Sequence, residues 1–191
     1  MLRSGELRLV YFLNNELRAT WYSKLLKYQG FAEPIEQYKI KHYNLQRGDI
    51  TQVFHAKHHL VGTEVAIKVI DKDTDGDSDL AHLQNLRVEA STLYRCRHPN
   101  IVRCIEFHEA DDMMFMVTDF CTGGDLQTYM NKHELEVLSE DRLHAIAVKI
   151  GGALSYLHDK GVVHRDIKQD NILLKDTSDD SEPILCDFGF A

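Results

Sequence analysis

Apolar positions change their period several times along the chain, and each change marks an element. Residues 7–13 (LRLVYFL) are apolar and aromatic like a strand, and after Asn14-Asn15 the positions Leu17, Trp21, Leu25 and Leu26 recur at helical spacing. Pro34 interrupts that pattern and residues 38–45 lead into a region rich in β-branched residues, so a boundary is expected near residues 30–42. Residues 53–57 and 64–70 predict two strands joined by a turn at Gly62. Leu83, Leu86, Val88 and Leu93 predict a helix over 81–96, followed by strands over 101–107 and 113–118. Gly123-Gly124 closes that block. Ser139 suits a helix N-cap, Glu140 and Asp141 suit the positive end of the dipole, and the helix should run to about Lys160. Residues 162–174 and 184–191 are short apolar segments separated by the acidic loop 175–183.

With 191 residues and 43% apolar content the chain can bury a core, and its net charge of −8 argues against sequence-independent nucleic-acid binding, which needs an excess of Lys and Arg. Cys96, Cys104, Cys121 and Cys186 form no CxxC pair, which fits reduced thiols and a cytoplasmic location. Arg3, Glu6, Arg8, Glu16 and Arg18 break up the first 30 residues, so neither a membrane span nor a secretion signal is expected.

The densest chemistry lies in residues 163–174, VHRDIKQDNILL. Phosphoryl transfer to a hydroxyl needs a carboxylate near the incoming oxygen, a cation near the transferred phosphate and an oxygen ligand for metal. Asp166, Lys168 and Asn171 supply those three in order on one loop. This string resembles the catalytic loop of protein kinases. The resemblance implies that Asp166 accepts the substrate proton, Lys168 contacts the γ-phosphate and Asn171 holds magnesium. A lysine at position 168 further implies the serine/threonine type, while Gln169 stands where proline is usual.

Four further segments fit the same family. Asp187-Phe188-Gly189 resembles its magnesium-binding triplet, and Val65-Ala66-Ile67-Lys68 resembles the strand whose lysine holds the α- and β-phosphates. Glu89 is the ion-pair partner that resemblance implies for Lys68. His98-Pro99-Asn100-Ile101-Val102 follows at the family's spacing. In the hinge-like run 117–126, resemblance implies that Asp119 and Cys121 offer backbone groups to adenine, Thr118 guards the pocket behind it, and Asp125 meets the ribose. Val53, Ala66 and Leu173 would sandwich the ring.

The implied fold is α+β and bilobal: a complete small lobe of antiparallel sheet plus one helix, and a partial, mostly helical large lobe. Its parts would be an N-terminal extension over 1–42, a small lobe over 43–117, a hinge over 118–124 and a large-lobe portion over 125–191. The implied function is ATP-dependent, magnesium-dependent transfer to a protein serine or threonine, with a non-catalytic nucleotide-binding or scaffold module as the alternative. Residues 163–174, the hinge-like run and 98–102 are most similar to the calcium/calmodulin-dependent group.

Departures from the family pattern accompany these matches. Aligning Val53 fifteen residues before Lys68 places the family's three phosphate-loop glycines at Gln46, Gly48 and Thr51, so only Gly48 remains and weaker ATP affinity is expected. The chain ends shortly after Asp187, without an activation segment, so little or no kinase activity is expected of it as it stands. An open face on the helix over 140–160 should expose some of Leu143, Ile146, Ile150, Leu154 and Leu157.

Asp71, Asp73, Asp75, Gly76 and Asp79 imitate a calcium loop, but His82 occupies the slot of the required glutamate, and a solvated loop is expected. His42, His55, His58, His59, His82 and His98 are expected on the surface, and Cys186 as a small core residue. The first 30 residues resemble the end of a pleckstrin-homology domain or form an unrelated strand and helix. The first reading would make phosphoinositide recruitment a property of the parent protein only, with no direct membrane insertion.

Overall fold

The computed structural model describes residues 37–47, 51–71, 77–109, 113–132 and 138–191. The strand over 7–13, the helix after it, the pleckstrin-homology-like reading and Gly48 lie outside those residues. Five strands, β1 (Tyr38–Arg47), β2 (Thr51–His58), β3 (Glu64–Asp71), β4 (Cys104–Glu109) and β5 (Met113–Asp119), form an antiparallel sheet in the order β1-β2-β3-β5-β4. The helix α1 (Asp77–Arg95) joins β3 to β4. Two-residue alternation sorts the β2 and β3 side chains: Phe54, Ala56, Val65, Ile67 and Val69 enter one core with Tyr38, Phe115 and Val117. Ala66 and Lys68 take the other face. β5 is buried on both faces, which is why residues 114–117 read as a continuous apolar run.

A second core spans both lobes. Leu83, Leu86, Ala90 and Leu93 of α1 meet Met114 and Met116 of β5 and Ile146, Ile150, Ala153 and Leu157 of α3 (Glu140–Asp159). In the large lobe, β6 (Gly124–Asp125), β7 (Ile172–Leu174) and β8 (Pro183–Leu185) make a small antiparallel sheet, and α2 (Leu126–Lys132) follows β6. Ser139 caps α3, its hydroxyl accepting the Arg142 N–H at 3.2 Å, and Gly161 at φ +73° ends it. Among the described residues no helix is long and apolar enough to cross a membrane.

Several expectations are corrected. The region expected to lead in over 38–45 is itself strand: β1 starts at Tyr38, whose ring is buried and whose hydroxyl donates to Glu106 Oε1 at 3.0 Å. The helix predicted over 81–96 begins at Asp77, and β4 begins at Cys104 rather than 101. Ile101 and Val102 are apolar for another reason: they dock on β8, with Ile101 bridging Leu185 and the Val102 N–H donating to the Leu185 carbonyl at 2.9 Å. The face expected to open on α3 is mostly closed, since Ile146, Ile150 and Leu157 belong to the shared core and only Leu143 of the five is exposed.

Asp71 ends β3, while Asp79 and His82 lie within α1, so the imitation calcium loop is cut by helix. His55 is only 9% exposed, against the surface position expected of it.

Candidate active site

The floor of the cleft is the loop from α3 to the short 3-10 turn Gln169–Asn171 that leads into β7. Two non-glycine residues here have left-handed backbone, Arg165 (φ 67°) and Asp187 (φ 62°), a conformation that costs about 1–2 kcal/mol each and persists only where the surroundings enforce it. One imidazole braces both. His164, 1% exposed, accepts the Asp166 N–H at Nδ1 (3.3 Å) and donates from Nε2 to the Cys186 carbonyl at 3.0 Å, which places its proton on Nε2. Phe188, fully buried, meets that ring edge-on with centroids 4.7 Å apart. His164 therefore ties the strained residue before Asp166 to the strained Asp187, a role that the string VHRDIKQDN contained and that sequence reasoning left unassigned.

Asp166 is held from two sides. Lys168 Nζ donates to its Oδ2 at 2.8 Å, and Asn171 Nδ2 donates to the same oxygen at 2.9 Å and to the Asp166 carbonyl at 2.8 Å. The hydrogen bond from Lys168, then that from Asn171, outweigh desolvation and hold the carboxyl below the usual aspartate range. Both donors land on Oδ2, so Oδ1 is the oxygen left to face an incoming hydroxyl. The amide of Asn171 spends its nitrogen on Asp166, which leaves its carbonyl oxygen as a hard donor of the kind magnesium takes.

On the roof, Lys68 of β3 stands opposite Val53 of β2 and Met116 of β5. Its Nζ lies 2.6 Å from Glu89 Oε2 and 3.7 Å from Asp187 Oδ1. Burial acts to lower the Lys68 pKa, but the Glu89 and Asp187 carboxylates overcome it and the net shift is upward, so the ammonium stays charged. Roof and floor are thereby one network. Glu89, Lys68 and Asp187 form its upper half, the Cys186 N–H donating to the Asn171 backbone carbonyl at 3.0 Å connects it, and Asn171, Asp166 and Lys168 complete it.

The remaining residues surround that network. Val53, Ala66 and Leu173 are half-buried, and Thr118 pairs with Ala66 across β5 and β3. Asp119 makes a two-pronged pair with Arg103 (2.7 and 3.1 Å), and its N–H donates to the Arg103 carbonyl at 3.2 Å. Burial pushes the Cys121 thiol up to about 11. Asp125 caps α2, accepting the Thr128 N–H at 2.7 Å and its hydroxyl at 2.8 Å. Gly123 is the tightest approach in the hinge: a Cβ there would lie 2.2 Å from the Asp176 carbonyl oxygen and 2.6 Å from Leu174 Cβ. Cys186 is half-buried, and burial first, then Asp187, raises its thiol pKa, which makes it a poor nucleophile. Gln46 and Arg47 pair with Val53 and Gln52, so the β1–β2 ladder persists to the last described residue of β1.

Residues 40–191 match the protein kinase domain model. The chain belongs to the protein kinase family. It is 35% identical over 154 residues to calcium-dependent protein kinase 5 of Plasmodium berghei, covering 81% of this chain and 26% of that protein. Against serine/threonine-protein kinase ATG1c of Arabidopsis thaliana it is 33% identical over 144 residues, covering 75% and 19%. With human serine/threonine-protein kinase ULK1 it shares 33% identity over 172 residues, covering 85% and 16%. The chain thus spans about a quarter or less of the length of these three relatives. Its five-stranded sheet with one helix, joined to a helical large-lobe portion, is the kinase small lobe and part of the large one. Members of this family generally use ATP and magnesium.

Proposed function

We propose that the cleft binds magnesium-ATP and directs its γ-phosphoryl group to a serine or threonine hydroxyl of a protein. The single observation that carries this is the continuous network from buried Glu89 through Lys68 and Asp187 to Asn171, Asp166 and Lys168. Lys68 is charged and braced for phosphate oxygens, and Asp187 with the Asn171 carbonyl oxygen supplies hard ligands for magnesium, whose charge would offset that of the phosphates. Lys168 offers a second cation at the cleft floor. Asp166 presents Oδ1 to the incoming hydroxyl, and since Lys168 keeps its carboxyl acidic, it orients the nucleophile and takes the proton late, as bonding to phosphorus develops.

The test pairs two measurements on the full-length protein that carries these residues, magnesium-ATP binding by calorimetry and phosphate transfer to serine- and threonine-containing peptides. Asp166→Asn should keep nucleotide affinity and lower turnover at least about 100-fold. Equal turnover in the two proteins would overturn the assignment of Asp166. Nucleotide binding without turnover in the wild type would favour the scaffold reading, to which the Gln46 and Thr51 substitutions also point.

A further inference from the structure

Alternation along β2 sends Phe54 and Ala56 into the sheet's own core, so Val53 and His55 share the opposite face. That face is the cleft roof, because His55 pairs with Ala66 and Val53 with Lys68. An imidazole therefore sits two residues along the roof from Val53, toward the hinge. It is 9% exposed, and a polar ring so covered is costly unless its nitrogens are partnered and its faces packed. Both conditions are met. The ring lies flat on Phe120 of the hinge, with centroids 3.8 Å apart and planes 11° from parallel. Its Nε2 meets Glu64 Oε2, and the other Glu64 oxygen takes the Lys41 ammonium.

Phe120 follows the last residue of β5, in the segment that connects the lobes. The stack thus joins the second strand of the roof directly to the hinge, bypassing the ladder that runs β2 to β3 to β5. Glu64 fixes the plane of the ring. The Lys41 hydrogen bond leads the causes that hold the Glu64 carboxyl below its ordinary range, so it remains an acceptor. Without that acceptor an imidazole on a phenyl face could turn edge-on, a geometry aromatic pairs also favour.

We propose that His55 is a positioning residue that clasps the roof strand to the hinge through Phe120, and so sets the height of the roof over the adenine side of the cleft. The inference rests on the reading of the cleft as a magnesium-ATP site. A clasp at this place acts on the base end of the nucleotide, leaving the phosphate end to Lys68, Asp187 and Asn171. An imidazole that merely filled space would affect stability without distinguishing the two ends.

Three readouts on the full chain test it: hydrogen exchange at the Phe120 and Cys121 amides without nucleotide, affinity for magnesium-ATP, and affinity for magnesium tripolyphosphate, which lacks the base. His55→Ala should speed hinge exchange and weaken magnesium-ATP about fivefold, with tripolyphosphate changed less than about twofold. His55→Phe, which keeps a ring against Phe120 but loses the Glu64 hydrogen bond, should restore both only in part. Unchanged hinge exchange in His55→Ala overturns the clasp, and so does an equal loss for both ligands. A wild-type chain that binds tripolyphosphate and ATP alike overturns the base-end role, and one that binds neither overturns the cleft reading while hinge exchange still decides the clasp.

Discussion

Lys68 meets Glu89 at 2.6 Å and Lys168 meets Asp166 at 2.8 Å, but the side chains of the first pair are 24% and 4% exposed and those of the second 49% and 27%. Near-equal distances conceal different physics. Glu89 has surrendered its hydration to sit under the sheet against Lys68, and removing either partner strands the other in low dielectric. Water competes for Lys168 and Asp166 throughout, so their contact adds little to folding. What the second pair sets is the proton affinity of Asp166 and the charge at the cleft floor, the quantities that matter to the proposed transfer. Burial, more than separation, divides the scaffold function from the chemical one.

The contrast can be broken most decisively at Glu89. Glu89→Gln should lower unfolding free energy by about 3 kcal/mol in urea titrations, and Lys68→Met combined with Glu89→Leu should recover much of it, because two apolar groups need no mutual neutralisation. A denaturation midpoint unmoved by Glu89→Gln would erase the distinction. Lys168→Ala should instead leave the midpoint where it is while lowering phosphate transfer about 100-fold, as loss of a charge-stabilising donor does.

A smaller effect is expected at the roof hairpin. Gln46→Gly with Thr51→Gly should tighten magnesium-ATP about fivefold in calorimetry, since backbone N–H groups could then approach phosphate more closely; equal affinity would remove the loop from the account.

The smallest effects are in pH. Lys68 has its folded pKa raised, so its contribution to stability is fully present below the unfolded lysine value of about 10.4 and is lost as pH rises through the higher folded one. Glu89→Gln should therefore flatten the alkaline limb of the stability profile. Asp166 has its folded pKa lowered, so its contribution is present above the unfolded aspartate value and fades as pH falls through the folded one. Lys168→Ala should move the Asp166 titration, followed by carboxyl NMR, toward higher pH.

Much of this site could be read from residue order because its chemistry is local. Asp166, Lys168 and Asn171 lie within one loop, and their contacts follow from a spacing of two to five residues. The same holds for the cap at Ser139, where the partner is three residues away. Contacts that span the chain were less legible. Nothing in the order of residues marks His55 as the partner of Phe120, and its polar label alone put it on the surface. The apolar character of Ile101 and Val102 suggested a strand because burial against β8 and burial within a sheet leave the same sequence trace. The α3 face was misjudged for a related reason: its period identified the buried stripe, but not that β8 and the core shared between the lobes already take it in.

The docking of Ile101 and Val102 on β8 has a mechanical consequence. The Leu185 N–H donates to the Asn100 carbonyl and the Val102 N–H to the Leu185 carbonyl, each at 2.9 Å, so the chain leaving α1 is pinned to the large lobe one residue before Cys186. The far end of α1 follows β3 in the chain and belongs to the small lobe. A helix fastened in this way would act as a lever whose fulcrum lies two residues before Asp187. Glu89 sits seven residues from Cys96, about 10 Å along the axis, so a tilt of about 10° would carry its carboxylate about 2 Å. That travel is enough to make or break the 2.6 Å contact with Lys68. A small rotation of one lobe against the other would thereby become an on-or-off contact between Lys68 and Glu89, without any unfolding of the helix itself.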